Sequence, residues 1–134
     1  MRIKVILDAN IFVAGMVEEG PAHRASYQLL DLIQKKDCVL YEPINLLTEF
    51  VSTIHRKAFD GEIMDQKKWD LIKLFSDFPI LMQWQHNYLV SSSKIAAQLN
   101  LRRTYDATYI AVAMAKEIPL ITHDEEILKK GRRI

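Results

Sequence analysis

Apolar and polar positions follow two different rhythms along this chain. Ile3–Leu7, residues 38–41 and Leu120–Ile121 are short apolar runs that end against polar residues, as strands buried on both faces of a sheet do. Elsewhere the period is helical. Leu47, Phe50, Val51 and Ile54 recur at i, i+3, i+4 and i+7, and Ala107, Ile110, Ala111 and Met114 repeat that spacing, which predicts two amphipathic helices. Pro43 suits the first turn of the first helix, and Thr104 suits an N-cap ahead of acidic Asp106 in the second. Further helices are expected at about 21–36, 62–77 and 87–99, with Asp60 or Gly61 breaking the chain before the second of these and Pro79 after it. Residues 79–84 offer one more strand.

Strands alternating with helices predict a mostly parallel, twisted sheet covered on both faces, a three-layer α/β/α sandwich. No repeat, low-complexity tract or Pro/Gly-rich linker divides the chain, and its glycines stand singly at 15, 20, 61 and 131, so residues 1–134 are expected to form one domain. Hydrophobic residues at 49% and charged residues at 26% match a globular protein and exclude a disordered or membrane-embedded one. The first apolar run is interrupted by Lys4 and closed by Asp8, too short for an export signal or a membrane span. The single cysteine, Cys38, lies in an apolar stretch and reads as a buried, inert thiol suited to a reducing cytoplasm. A net charge of +1 leaves a nucleic-acid partner open, since any affinity for phosphates must come from local clusters.

The chemistry suggested by the chain is acidic. Ligands of a parallel α/β sheet bind beyond the carboxyl ends of its strands, and Asp8 follows the first strand while Asp124 follows the late strand through Thr122 and His123. Right-handed crossovers put both strand ends at one edge. The helix carrying Asp106 begins at that edge, and Glu49 falls about two turns into a helix launched there at Pro43. Four carboxylates brought close repel one another unless a cation stabilises their ionised forms. An all-oxygen set without cysteine or a well-placed histidine favours a hard cation, Mg²⁺ before Mn²⁺, with zinc disfavoured. Charge balance permits either one ion or two.

Taken together, the early strand ending in Asp8-Ala9-Asn10, the helical Leu47-Thr48-Glu49-Phe50, then Tyr105-Asp106-Ala107 and Thr122-His123-Asp124 resemble the PIN-domain family over nearly the whole chain. Within it, a chain of this length is similar to VapC-like toxins of toxin–antitoxin pairs, which cut RNA with Mg²⁺. The resemblance implies that Asp8, Asp106 and Asp124 are direct or water-mediated metal ligands and that Glu49 is a ligand or base. It also implies supporting hydrogen bonds from Asn10 and Thr122, a homodimer, and an antitoxin that occludes the acidic groove. Where many relatives continue into a last edge strand, this chain stops at Gly131-Arg132-Arg133-Ile134, so that strand is expected to be absent or minimal.

Each acid also has a plain structural reading. Asp8 could cap a turn, Glu49 could be solvated, Asp106 could balance a helix dipole and Asp124 could be an N-cap; their joint placement at one edge favours the metal site. Arg102 and Arg103, just before the Asp106 helix, are candidates for holding phosphates, as are Arg56 and Lys57, with solvated surface charge equally consistent. His123 adjoins the site but reads as a solvated turn histidine, like His23, His55 and His86. Trp69, Phe75, Phe78 and Trp84 could stack bases or form a dimer face, and core packing is the favoured reading. Haloacid-type phosphotransfer is disfavoured because Asn10 stands where a second aspartate is needed, and a receiver-type phosphoacceptor lacks its acidic pair. A dinucleotide site lacks its glycines. The competing classes that remain are an RNA- or protein-binding domain without catalysis and an RNA-processing nuclease outside a toxin–antitoxin system.

Overall fold

The computed structural model describes residues 3–17, 20–35 and 38–131. Four strands, β1 (Ile3–Leu7), β2 (Cys38–Pro43), β3 (Ile80–Gln83) and β4 (Leu120–Ile121), form a sheet in the order β3-β2-β1-β4, with every neighbouring pair parallel. The register sets Ile3 opposite Cys38, Leu7 opposite Ile121 and Leu40 opposite Ile80. Among the described residues seven helices accompany them, six between strands and one after β4: α1 (Ala9–Met16), α2 (His23–Gln34), α3 (Asn45–Phe59), α4 (Asp65–Ser76), α5 (Asn87–Gln98), α6 (Tyr105–Lys116) and α7 (Glu125–Gly131).

The crossovers explain the layers. From β1 to β2 and on to β3 the chain advances in one direction, and α1 to α4 pack on one another; from β3 it returns past β2 and β1 to reach β4, and α5 packs on α6. A reversed direction with the same handedness puts those two groups on opposite faces of the sheet. The reversal also makes the gap between β1 and β4 a topological switch point, where the carboxyl ends of the strands leave a crevice.

The core is built from Ile6, Leu7, Leu40, Leu46, Ile54 and Val112, all fully buried, with Phe12 at its aromatic centre. Phe12 meets Phe75 and Phe78 edge-on at 5.1 and 5.6 Å between ring centroids, and Phe50 stacks on Phe75 at 4.1 Å. Gly15 lets α2 approach α1: a Cβ there would stand 2.6 Å from Leu30 Cδ1 and 3.0 Å from the Ser26 carbonyl carbon.

Several local expectations are revised. Pro43 ends β2, opposite Gln83, and α3 starts two residues later, so Glu49 lies one turn into its helix instead of two. Thr104 precedes α6 with helical backbone angles and makes no side-chain cap; its carbonyl instead accepts from the Thr108 hydroxyl at 3.1 Å. The face of α3 that packs inward is Leu46, Phe50 and Ile54, leaving Leu47 and Val51 38% and 39% exposed. Phe75 and Phe78 are core residues as expected, but Trp69 and Trp84 are not; they are 58% and 52% exposed. Helices α1 and α7 were not anticipated. The end of the helix expected at 21–36 and the question of a last edge strand fall partly or wholly on residues 36 and 132–134, outside the described residues. No helix among the described residues is long and apolar enough to cross a membrane.

Candidate acidic site

The four acids singled out from the sequence line one cavity of about 820 Å³ at the carboxyl edge of the sheet, together with Asn10 and His123. β1 delivers Asp8 at its end, where the Asp8 amide donates to the Ile121 carbonyl at 3.0 Å, so the strand pair itself ties Asp8 to the start of the Thr122–Asp124 segment. Thr122, buried beneath, donates its hydroxyl to Asp8 Oδ2 at 2.8 Å, and Asn10 Nδ2 lies 3.3 Å from both Asp8 Oδ2 and Thr122 Oγ1. The Asn10 side-chain Oδ1 in turn accepts from the His123 amide at 3.2 Å. Asn10 and Thr122 thus both stand within hydrogen-bond distance of the Asp8 carboxylate.

Glu49 is held at both oxygens. Asn45 Nδ2, one helical turn earlier, donates to Oε1 at 2.9 Å, and the Tyr109 hydroxyl donates to Oε2 at 2.8 Å from α6. Asn45 Nδ2 also reaches the Tyr105 carbonyl at 3.3 Å. One amide thus links α3 to the start of α6, the turn that carries Asp106. Asp106 itself has no side-chain hydrogen bond among the described residues. Asp124 has a dual position: its Oδ1 accepts from the Glu126 and Ile127 amides at 2.9 and 3.1 Å, capping α7, while the residue lines the cavity. The N-cap reading of Asp124 is met in the structure alongside its place in the cluster.

Burial and repulsion raise the proton affinity of Asp8, Glu49 and Asp106. Asp106 is pushed up to about 6, first by partial burial and then by Asp8, Asp124, Glu49 and Glu126. Asp8 is raised by burial, with the Thr122 hydroxyl opposing, and Glu49 is raised by burial, with Tyr109 and Asn45 opposing. Among the described residues no lysine or arginine lines the cavity to offset these charges. Arg102 and Arg103 are exposed and outside it; the Arg103 guanidinium lies over the Tyr105 ring, 5.6 Å from the centroid. Arg56 is engaged by Asp60 and Glu62, each at 3.4 Å.

Three partners escaped the reading of the sequence. Glu42 is fully buried in β2, and its Oε1 accepts the Leu7 amide while Oε2 has no partner. Burial holds its carboxyl well above the usual range, and the charges of Asp8 and Glu49 add to this, so it belongs to the same electrostatic cluster from behind. The signal was an acid placed inside an otherwise apolar strand. Ser26, buried on α2, sits 2.7 Å from His123 Nε2, so His123 is anchored and not simply solvated. Asn45 was masked by its ordinary position at a helix start. His23, at the start of α2, likewise has a partner: Nδ1 lies 2.7 Å from the Ala14 carbonyl.

A family profile described as PIN domain matches residues 5–133. No curated protein matches the sequence. Among solved structures, the crystal structure of PAE2754 from Pyrobaculum aerophilum is similar at 24% identity and TM-score 0.71, covering 97% of this chain and 86% of that one. VapC20 of Mycobacterium tuberculosis, described as a Sarcin-Ricin loop cleaving toxin, matches with TM-score 0.71 at 14% identity, over 95% of each chain. VapBC2 from Rickettsia felis, solved bound to a DNA fragment from their promoter, matches with TM-score 0.67 at 13% identity, over 95% of this chain and 92% of that one. At these identities the structural likeness speaks for the fold.

Proposed function

This chain belongs to the PIN-domain family, and from that premise we propose that it is a Mg²⁺-dependent endoribonuclease, the toxin of a type II toxin–antitoxin pair. The observation that carries the reading is the convergence of Asp8, Glu49, Asp106 and Asp124 on one cavity that no lysine or arginine among the described residues lines. The fit to a hard divalent ion rests on the donor set, all carboxylate oxygen, and on the uncompensated repulsion among the acids. Among the described residues no three His, Cys, Asp or Glu side chains are arranged to hold an ion directly. Contact through water suits Mg²⁺, which keeps several of its waters, with Mn²⁺ as a substitute. When bound, such an ion supplies charge compensation for the phosphate and lowers the pKa of water.

The side chains have distinct parts. Thr122 and Asn10 orient Asp8, and Asn45 and Tyr109 orient Glu49 from opposite sides, so both carboxylates are fixed before substrate arrives. Asp106, on which no donor rests, is the carboxylate open to take the proton of the attacking water. In-line attack at phosphorus with departure of the 3′-oxygen leaves a 5′-phosphate and a 3′-hydroxyl. Nothing in this route uses the ribose 2′-hydroxyl, so selection of RNA rests on the shape of the groove. A homodimer, a cognate antitoxin over the acids and a cytoplasmic location complete the proposal.

The test is incubation of the purified protein with labelled total RNA in Mg²⁺ or EDTA, beside Asp8→Asn, with fragment ends mapped. Cleavage confined to the wild type in Mg²⁺, at least about a hundredfold above the variant, is the expected result; full activity in a folded Asp8→Asn protein would sink the assignment. Undetectable Mg²⁺ binding would favour the second reading, a binding domain without catalysis, for which the lack of a directly chelating trio speaks.

A further inference from the structure

The apolar stripe of α3 is only half used by the core. Leu47 and Val51 face outward with Thr48, Ser52 and His55, and α4 closes the other side with Lys68, Trp69 and Ile72, forming a groove of about 650 Å³. Thr48 and Ser52 line this groove and the acidic cavity alike, so the two adjoin along α3. Their charges differ in sign: among the described residues the cavity is lined by four acids and no lysine or arginine, the groove by Lys68 and no acid. Trp69, more than half exposed, has the Lys68 ammonium 4.3 Å from its ring centroid. The groove runs along α3 to His55, six residues or about 9 Å of helix beyond Glu49.

We propose that this α3–α4 groove is a base-stacking subsite for single-stranded RNA, in which Trp69 receives the base of a nucleotide adjacent to the one held over the acids, and Lys68 neutralises the neighbouring phosphate. The proposal rests on the nuclease reading of the acidic cavity. An exposed tryptophan beside a cation is the combination that binds single strands without sequence readout, because every base offers a π-face and every nucleotide a phosphate. A base needs the strand unpaired to lie flat on the ring, so the subsite selects single-stranded or looped RNA over duplex.

Binding of a short labelled oligoribonucleotide to the full chain is to be measured by anisotropy in Ca²⁺, which offsets the acidic charge, with RNA integrity checked on gels. Trp69→Ala is expected to weaken binding about tenfold and Trp69→Phe by no more than about threefold. Trp84→Phe, on another surface, is expected to change nothing, and the duplex form of the same RNA to bind weakly to all variants. Unaltered affinity in a folded Trp69→Ala protein overturns the proposal, as does an absence of binding by the wild type. So does a loss of self-association in Trp69→Ala, seen by sedimentation without loss of RNA affinity, because it assigns the groove to a protein contact. Cleavage in Mg²⁺ separates the two readings. Trp69-dependent binding without cleavage leaves the groove standing and removes the nuclease; cleavage with Trp69-indifferent binding does the reverse.

Discussion

Asp106 shows how a residue can serve a site at the expense of the fold. Its carboxyl is raised to about 6 from an ordinary 3.8. Between those values the folded protein binds more protons than the unfolded chain, so this contribution to stability is fully present below the unfolded value and declines as pH rises through the folded one. Asp8 and Glu49, also raised, act in the same direction. Urea unfolding in EDTA is therefore expected to give a more stable protein at pH 5 than at pH 7.5. Asp106→Asn should narrow that difference by on the order of 1 kcal/mol, after allowance for solvent screening, and an unchanged difference would contradict the repulsion. The position of Asp106 was legible because helix starts and strand ends obey topology. Its hydrogen-bond isolation was not, because that depends on which neighbours α3 and β4 bring.

At the scale of the element, β2 is where main chain and side chain exchange roles. The β1–β2 pairing runs from Ile3 opposite Cys38 to Val5 opposite Leu40, and the Leu7 amide, two residues on, finds the Glu42 carboxylate instead of a strand carbonyl. Removing that acceptor strands a buried amide, so Glu42→Ala should cost about 1–3 kcal/mol in urea denaturation. Glu42→Gln, which keeps an acceptor oxygen, should cost much less; equal losses would mean that Glu42 acts only by filling space. The strands were legible as apolar runs, and α3 and α6 as periodic stripes. Helix α1 was not: Ile11, Phe12 and Val13 are all buried, so the segment shows neither a polar face nor a period. Helix α7, seven residues begun by Asp124, is too short to display one. The outward turn of Leu47 and Val51 was hidden for the opposite reason, since a stripe wider than its packing partner looks in sequence like core.

Across the whole molecule, the helical layer of α1 to α4 is knitted together by aromatic side chains, with Phe12 at their centre. That residue follows the acid-bearing end of β1 and touches Phe50 of α3, Phe75 of α4 and Phe78 before β3. We expect Phe12→Ala to lower stability by about 3–5 kcal/mol. If residues 1–134 are one cooperative domain, near- and far-ultraviolet circular dichroism should report a single shifted transition; two separated transitions would divide the chain. The parallel sheet followed from alternating strands and helices, whereas its strand order, with the reversal at β1, and the aromatic junction depended on long-range contacts that no local period encodes.

The close seat of α2 on α1 at Gly15 also decides where the acidic depression can yield. With Leu30 and the Ser26 backbone pressed against that glycine, and Ser26 holding His123, the wall beside Asp8 is braced to the sheet as one block. The opposite wall, α3 against the start of α6, is joined at the site by the Asn45 and Tyr109 hydrogen bonds to Glu49 and the Asn45 link to the Tyr105 carbonyl. A ligand too bulky for the resting width would thus be accommodated by parting α3 from α6, which requires opening both the Asn45–Tyr105 and the Tyr109–Glu49 contacts.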